Sequence, residues 1–165
     1  MIVIKNVLVA TDFGAASEAA LNYGRNIARQ FDARLHVLHV TPNMYLTTGS
    51  PYGYAVAPAG LQDEVEASSR QQTEALLTDE DWQTLRDTAV TVTHATPAAA
   101  IVDYARAERI DLIVVGTHGR GAMAHLVMGS VAERVVRTAP CPVLTVRHPP
   151  HEFVVPDALV AVSKA

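Results

Sequence analysis

The chain has 165 residues, 49% of them hydrophobic and 18% charged, with a net charge of −4 at neutral pH. That is the length of one domain with enough apolar side chains for a sizeable core, and the negative balance gives no electrostatic case for nucleic acid. Cys141 is the single cysteine, so no internal disulfide is available. No apolar stretch approaches the ~20 residues that span a bilayer, and the start MIVIKNVLVATD lacks a signal-peptide pattern, so a reducing cytoplasm is the expected setting.

Residues Ile2 to Ala10 read as a first strand whose buried part is Val7-Leu8-Val9-Ala10, with Thr11-Asp12-Phe13 at its carboxyl end. Gly14 to Gln30 then has helical spacing. Ala16, Ala19, Ala20, Tyr23, Ile27 and Ala28 form the apolar stripe, with Ser17-Glu18 and Arg25-Asn26 largely outside it. Thr11 or Asp12 is a candidate cap for this helix and, compatibly, Asp12 is a candidate ligand contact. Arg34 to Val40, RLHVLHV, reads as the second strand. Its His36 and His39 are three apart, so they point to opposite faces and cannot chelate one metal; both read as structural or partly exposed.

Thr41 to Gly60 carries three prolines, three glycines and three tyrosines, which argues for a loop. It leaves the carboxyl end of the second strand, either as a lid over a ligand or as plain surface. Leu61 to Leu77 is helical in pattern, with acids in its first turns that suit the helix dipole. Thr78-Asp79-Glu80-Asp81 reads as a fresh, solvated helix start rather than a metal site. Thr78 is its cap and Asp81 replaces the usual capping-box glutamate, with Trp82 and Leu85 packing inward. Ala89 to His94 alternates as a third strand. Thr96 caps the next helix and Pro97 occupies its first turn; it runs to about Arg109, with Ile101, Val102, Tyr104 and Ala105 toward the sheet.

Leu112-Ile113-Val114-Val115 is a short, branched apolar run, the signature of a strand buried on both faces. Gly116 ends it, and a glycine-bearing loop runs to Gly129-Ser130, where a helix begins with Val131, Val135 and Val136 on one side. Strand-to-helix loops of this class usually have ~2–6 residues, so the span Thr117 to Met128 suggests a binding loop. Glycines that admit close backbone approach, followed by the N–H groups and dipole of a helix start, favour an anion such as phosphate. A P-loop is excluded, because Ala122-Met123 stands where Lys-Ser/Thr is required; no G-x-G-x-x-G follows the first strand. Cys141 to Arg147 is the last strand, and Pro142 suits an edge position. The tail from His148 to Ala165 has two apolar clusters, Phe153-Val154-Val155 and Leu159-Val160-Ala161-Val162, fitted to pack on its own domain or on a partner.

Strands alternating with helices predict an α/β fold: an open, doubly wound, five-stranded parallel sheet with helices on both faces. The pattern G-x-x-G, nine residues, then G-S (Gly116, Gly119, Gly129, Ser130) resembles the nucleotide-binding signature of the universal stress protein family in its ATP-binding branch. KNVLVATDFG, LHVLHV and GSVAERVVRTAPCPVLTV resemble the family's opening strand and turn, second strand, and closing helix and strand. The resemblance covers residues 2 to about 147, so 1–147 is expected to be the nucleotide-binding domain and 148–165 its C-terminal extension. It implies the strand order 3-2-1-4-5, which puts Asp12 and Gly116 at one switch-point crevice. It also implies adenine near Asp12 and Val40, with Ala10 and Thr11 beside them. Gly116 and Gly119 would lie along ribose and phosphates, with Gly129, Ser130 and Val131 donating to the phosphates and Mg²⁺ balancing the charge of ATP. A homodimer through Cys141 to Arg147 is further implied. The function expected is a nucleotide-dependent regulator of stress response with an unidentified signalling partner, no membrane and no nucleic acid. It would be at most a slow ATPase, since the loop offers only His118 and Arg120 for hydrolysis. The competing expectation is a dimeric interaction module that binds no nucleotide.

Overall fold

The computed structural model describes residues 1–43, 49–50, 53–54, 60–84, 88–93, 96–117 and 128–149. In chain order the elements are β1 (Asn6–Thr11), α1 (Ala15–Phe31), β2 (Arg34–Thr41), β3 (Gly49–Ser50), β4 (Gly53–Tyr54), α2 (Leu61–Glu74) and α3 (Asp79–Thr84). They continue with β5 (Thr88–Thr93), α4 (Pro97–Ala107), β6 (Leu112–Gly116), α5 (Ser130–Thr138) and β7 (Val143–Val146). The first strand begins at Asn6, not at Ile2. Pairing on both sides starts there, Asn6 with Arg34 and Val7 with Leu112, so earlier residues gain no ladder and Met1, Ile2 and Val3 are exposed. Within the stretch predicted as loop, β3 and β4 form a two-residue antiparallel pair.

β2, β1, β6 and β7 are neighbours in that order, all parallel, and β5 pairs in parallel with the outer side of β2. The chain therefore moves outward from β1 in one direction, then crosses back to β6 and moves outward in the other. Successive strand residues point to opposite faces. Val7, Val9, Leu35, Val37 and Val114 pack with α1, whereas Leu8, Leu38, Ile113 and Val115 pack with α4 and α5. Both faces of the central strands are thus sealed, which is why their sequences run apolar without alternation. At Gly24 of α1, a Cβ would run into Cγ2 of Val9, so glycine at that position lets the helix sit close on β1.

α2 ends at Glu74, short of the predicted Leu77, but Leu77 is still buried after the helix. The next turn forms the predicted reciprocal cap: Thr78 N–H donates to Asp81 Oδ2 at 2.9 Å and Asp81 N–H to Thr78 Oγ1 at 3.1 Å. Asp81 is not solvated, however. Its side chain is fully buried against α1, where Arg25 Nε lies 2.8 Å from Oδ2 and an Arg29 nitrogen 3.2 Å from Oδ1. Burial alone would push this carboxyl up, but the Thr78 hydrogen bonds and the Arg25 guanidinium outweigh it and hold the carboxyl below its ordinary range. Trp82, expected inward, is 50% exposed, because Asp81 takes the inward position of this short helix; Leu85 lies outside the described residues. In α5 the inward pair is Ala132 and Val135, three apart, so the neighbouring Val131 and Val136 are 38% and 46% exposed rather than on the buried side. Among the described residues no helix is long and apolar enough to cross a membrane.

Candidate functional site

The carboxyl ends of β1, β2 and β6 and the first turn of α5 enclose a cavity of about 420 Å³. It lies where the chain reverses between β1 and β6, the position at which open parallel sheets leave a crevice between diverging loops. The volume falls within the usual range of small-molecule sites. Of the nine residues singled out from the sequence, eight line it: Ala10, Thr11, Asp12, Val40, Gly116, Gly129, Ser130 and Val131. Gly119 lies outside the described residues, as do His118 and Arg120. Leu38, Ile101, Val115 and Ala132 give the cavity apolar walls. These flank a polar edge formed by the β1–α1 turn on one side and the α5 start on the other.

The β1–α1 turn is fixed by its own side chains. Neither Thr11 nor Asp12 is the helix cap; that position falls to Gly14. Instead Asp12 Oδ1 accepts the Gly14 N–H at 3.0 Å, closing an Asx-type turn just ahead of the helix. Ser17, expected outside the buried stripe, is buried: its hydroxyl donates to the Gly14 carbonyl at 2.9 Å. The Ser17 proton being committed, the 3.1 Å contact between Thr11 Oγ1 and Ser17 Oγ has Thr11 as donor, and Thr11 Oγ1 in turn accepts the Phe13 N–H at 3.0 Å. This chain runs from Phe13 through two hydroxyls back to the backbone and sets Asp12 at the crevice.

The other side is tied to the sheet. The Thr117 N–H donates to the Val146 carbonyl at 2.8 Å, and the Gly129 N–H donates to the Thr117 carbonyl at 2.6 Å. Gly129 has extended backbone angles, φ −71 and ψ 151, as the residue preceding α5, and no side chain caps that helix. The N–H groups of Ser130, Val131 and Ala132 have no acceptor within the helix, by the geometry of any helix start, and these three residues line the cavity. Gly116 has a different reason to be glycine. A Cβ there would lie 2.8 Å from the carbonyl carbon and oxygen of Ala16 and 3.0 Å from its Cβ. The first turn of α1 therefore presses directly on the end of β6.

His36 and His39 part company. His36 is buried under α4, its Nδ1 2.9 Å from the Tyr104 hydroxyl, and its Nε2 has no hydrogen-bond partner among the described residues. Burial pushes its pKa below the ordinary value, and the Arg34 charge adds to this against an opposing Glu108. Burial with Glu108 pushes Tyr104 up to about 12, so its hydroxyl keeps its proton. His39 instead lines the crevice, with Nδ1 2.9 Å from the Thr11 carbonyl oxygen and its ring against Phe13. The sequence did carry a signal for it: a strand-end residue one step from the Val40 position sits beside the same crevice. Among the described residues no group of three or more metal-ligating side chains converges.

Comparison with known proteins agrees with this architecture. A family model described as the universal stress protein family matches residues 4–147. A universal stress protein of Methanocaldococcus jannaschii is 32% identical over 152 residues, covering 90% of this chain and 85% of that one. Among solved structures, the chain is similar to universal stress protein UspA from Lactobacillus plantarum, with TM-score 0.66 and 26% identity over 89% of this chain and 100% of that one. It also shares the fold of a universal stress protein from Archaeoglobus fulgidus in complex with dAMP, with TM-score 0.59 and 22% identity over 88% of this chain and 98% of that one.

Proposed function

This chain belongs to the universal stress protein family, and on that premise we propose that the crevice binds an adenine nucleotide, ATP with Mg²⁺ in the first instance. The observation that carries the reading is the convergence of Asp12, Val40, Gly116 and the Gly129–Val131 turn on one cavity of about 420 Å³. Its two ends suit the two ends of a nucleotide. Leu38, Val40 and Ile101 offer apolar surface to a base. The N–H groups at the start of α5, reinforced by the Ser130 hydroxyl and the helix dipole, offer donors to phosphate oxygens. The dAMP complex of the Archaeoglobus fulgidus protein shows a nucleotide in one relative; for this chain the reading rests on its own crevice. Mg²⁺ would balance the phosphate charge and requires few protein ligands when phosphates and water supply the rest.

In this reading the residues bind and orient the nucleotide, and hydrolysis is at most slow. The protein acts as a cytoplasmic regulator whose nucleotide state is read by a partner. It pairs with a second copy through the outer edge of β7 and its flanks, Cys141 to Arg147, since among the described residues β7 pairs only with β6. Gly129→Val tests the placement. Its extended backbone angles suit a branched side chain, so a folded variant is expected, with the added bulk where this reading puts phosphate. Calorimetric titration with ATP-Mg²⁺ is expected to show binding by the wild type and none by the variant; equal affinity sinks the placement. One observation favours the second reading, a dimeric module without nucleotide: packing against Ala16 accounts for Gly116 with no ligand involved. That reading gains if the wild type itself gives no heat of binding.

A further inference from the structure

The turn that carries Asp12 is braced from outside as well as by its own side chains. Phe13 has φ 62, in the left-handed region, an uncommon and costly conformation for an aromatic residue that persists where surroundings enforce it. The Thr11–Ser17 hydroxyls and the Asp12–Gly14 turn act from within the same few residues. His39 reaches the turn from another strand.

It holds the two residues that flank Asp12. Pairing of β1 with β2 sets His39 opposite Thr11. The Thr11 carbonyl only accepts hydrogen bonds, so the 2.9 Å contact makes His39 Nδ1 the donor, in the neutral Nδ1–H tautomer and in the imidazolium alike. The same ring packs on Phe13, with centroids 4.3 Å apart and planes at 33°. His39 shares its strand face with buried Leu35 and Val37, where an aliphatic residue would serve packing alone. An aliphatic side chain would not donate to Thr11, and a phenylalanine would stack without donating.

We propose that His39 is a positioning residue, which clamps Thr11 and Phe13 and thereby aims the intervening Asp12 carboxylate at the ligand of the crevice. The inference rests on the nucleotide reading for the identity of that ligand, but not for the clamp itself. Asparagine places an amide N–H near Nδ1, and glutamine places it nearer Nε2. His39→Asn therefore keeps the donor to Thr11, whereas His39→Gln and His39→Phe do not.

The experiment uses the full chain and reads two quantities in these variants. The first, without ligand, is hydrogen exchange of the Gly14 amide, which reports the Asp12 turn. The second is affinity for ATP-Mg²⁺. Exchange is expected to rise roughly three- to tenfold in His39→Gln and His39→Phe, the equivalent of one hydrogen bond, and to stay near the wild-type rate in His39→Asn. Affinity should weaken in the same order. Wild-type Gly14 exchange in His39→Gln and His39→Phe overturns the clamp, as does equal loss in all three variants. If the wild type binds no nucleotide, the functional reading falls, and the exchange rates alone decide the clamp.

Discussion

Replacing Gly116 by alanine isolates the contact that seats α1 against β6. The new Cβ would lie 2.8 Å from backbone atoms of Ala16, against about 3.5–4.0 Å for unstrained carbon contacts. The helix or the strand end must yield by roughly 0.7–1.2 Å, and neither is a flexible side-chain tip. Overpacking of this kind costs about 1–3 kcal/mol. Gly116 does not have a left-handed φ, so alanine also gains about 0.4–1 kcal/mol by restricting the unfolded chain. The net expectation is a loss centred near ~1.3 kcal/mol, which for a chain of this length lowers Tm by about 3–5 °C. Calorimetric melting of ligand-free protein is the assay. A Tm at or above wild type in Gly116→Ala, combined with weakened nucleotide binding, would refute the packing argument and assign this glycine to the ligand instead.

Asp81→Ala leaves Arg25, only 15% exposed, beside an empty position; urea denaturation should show a loss of about 3 kcal/mol, the scale of a broken buried pair. Because the folded carboxyl of Asp81 lies below its unfolded value, its contribution is present above about pH 4 and is lost as pH falls further; that acid slope should be shallower in the variant. His36 is also held low, so the unfolded chain takes up its proton first, and stability should begin to fall as pH drops below about 6.5. The double variant His36→Phe with Tyr104→Phe should flatten the urea midpoint between pH 7 and 5, and an unchanged slope would assign the dependence elsewhere. At β7, the Pro142 and Val146 carbonyls face β6, so alternation turns the Thr145 N–H toward the outer edge. Thr145→Pro should therefore abolish the proposed dimer in light scattering while leaving the fold intact.

The sheet was legible because buried parallel strands write themselves as runs such as VLVA and LIVV, and because Gly14, Thr96-Pro97 and Gly129-Ser130 mark helix starts. The crevice was legible because a strand end and a loop glycine, found separately, meet where strand order reverses. What the sequence alone does not display depends on partners distant in the chain. Ser17 looked like surface until Thr11 and Gly14 folded over it. Asp81 looked solvated in an acidic run until Arg25 and Arg29, more than 50 residues earlier, neutralised it. His39 looked structural until pairing placed it opposite Thr11. Trp82 turns outward: apolar character alone does not say which side of a six-residue helix is occupied by an ion pair.

The most direct test of the central claim uses protein purified without added nucleotide, denatured, with any released compound separated by chromatography and identified by mass spectrometry. Retention of an adenine nucleotide near one per chain is the predicted result. An empty protein that also gives no heat on titration with ATP-Mg²⁺ would contradict it and leave the crevice to the dimeric, nucleotide-independent reading.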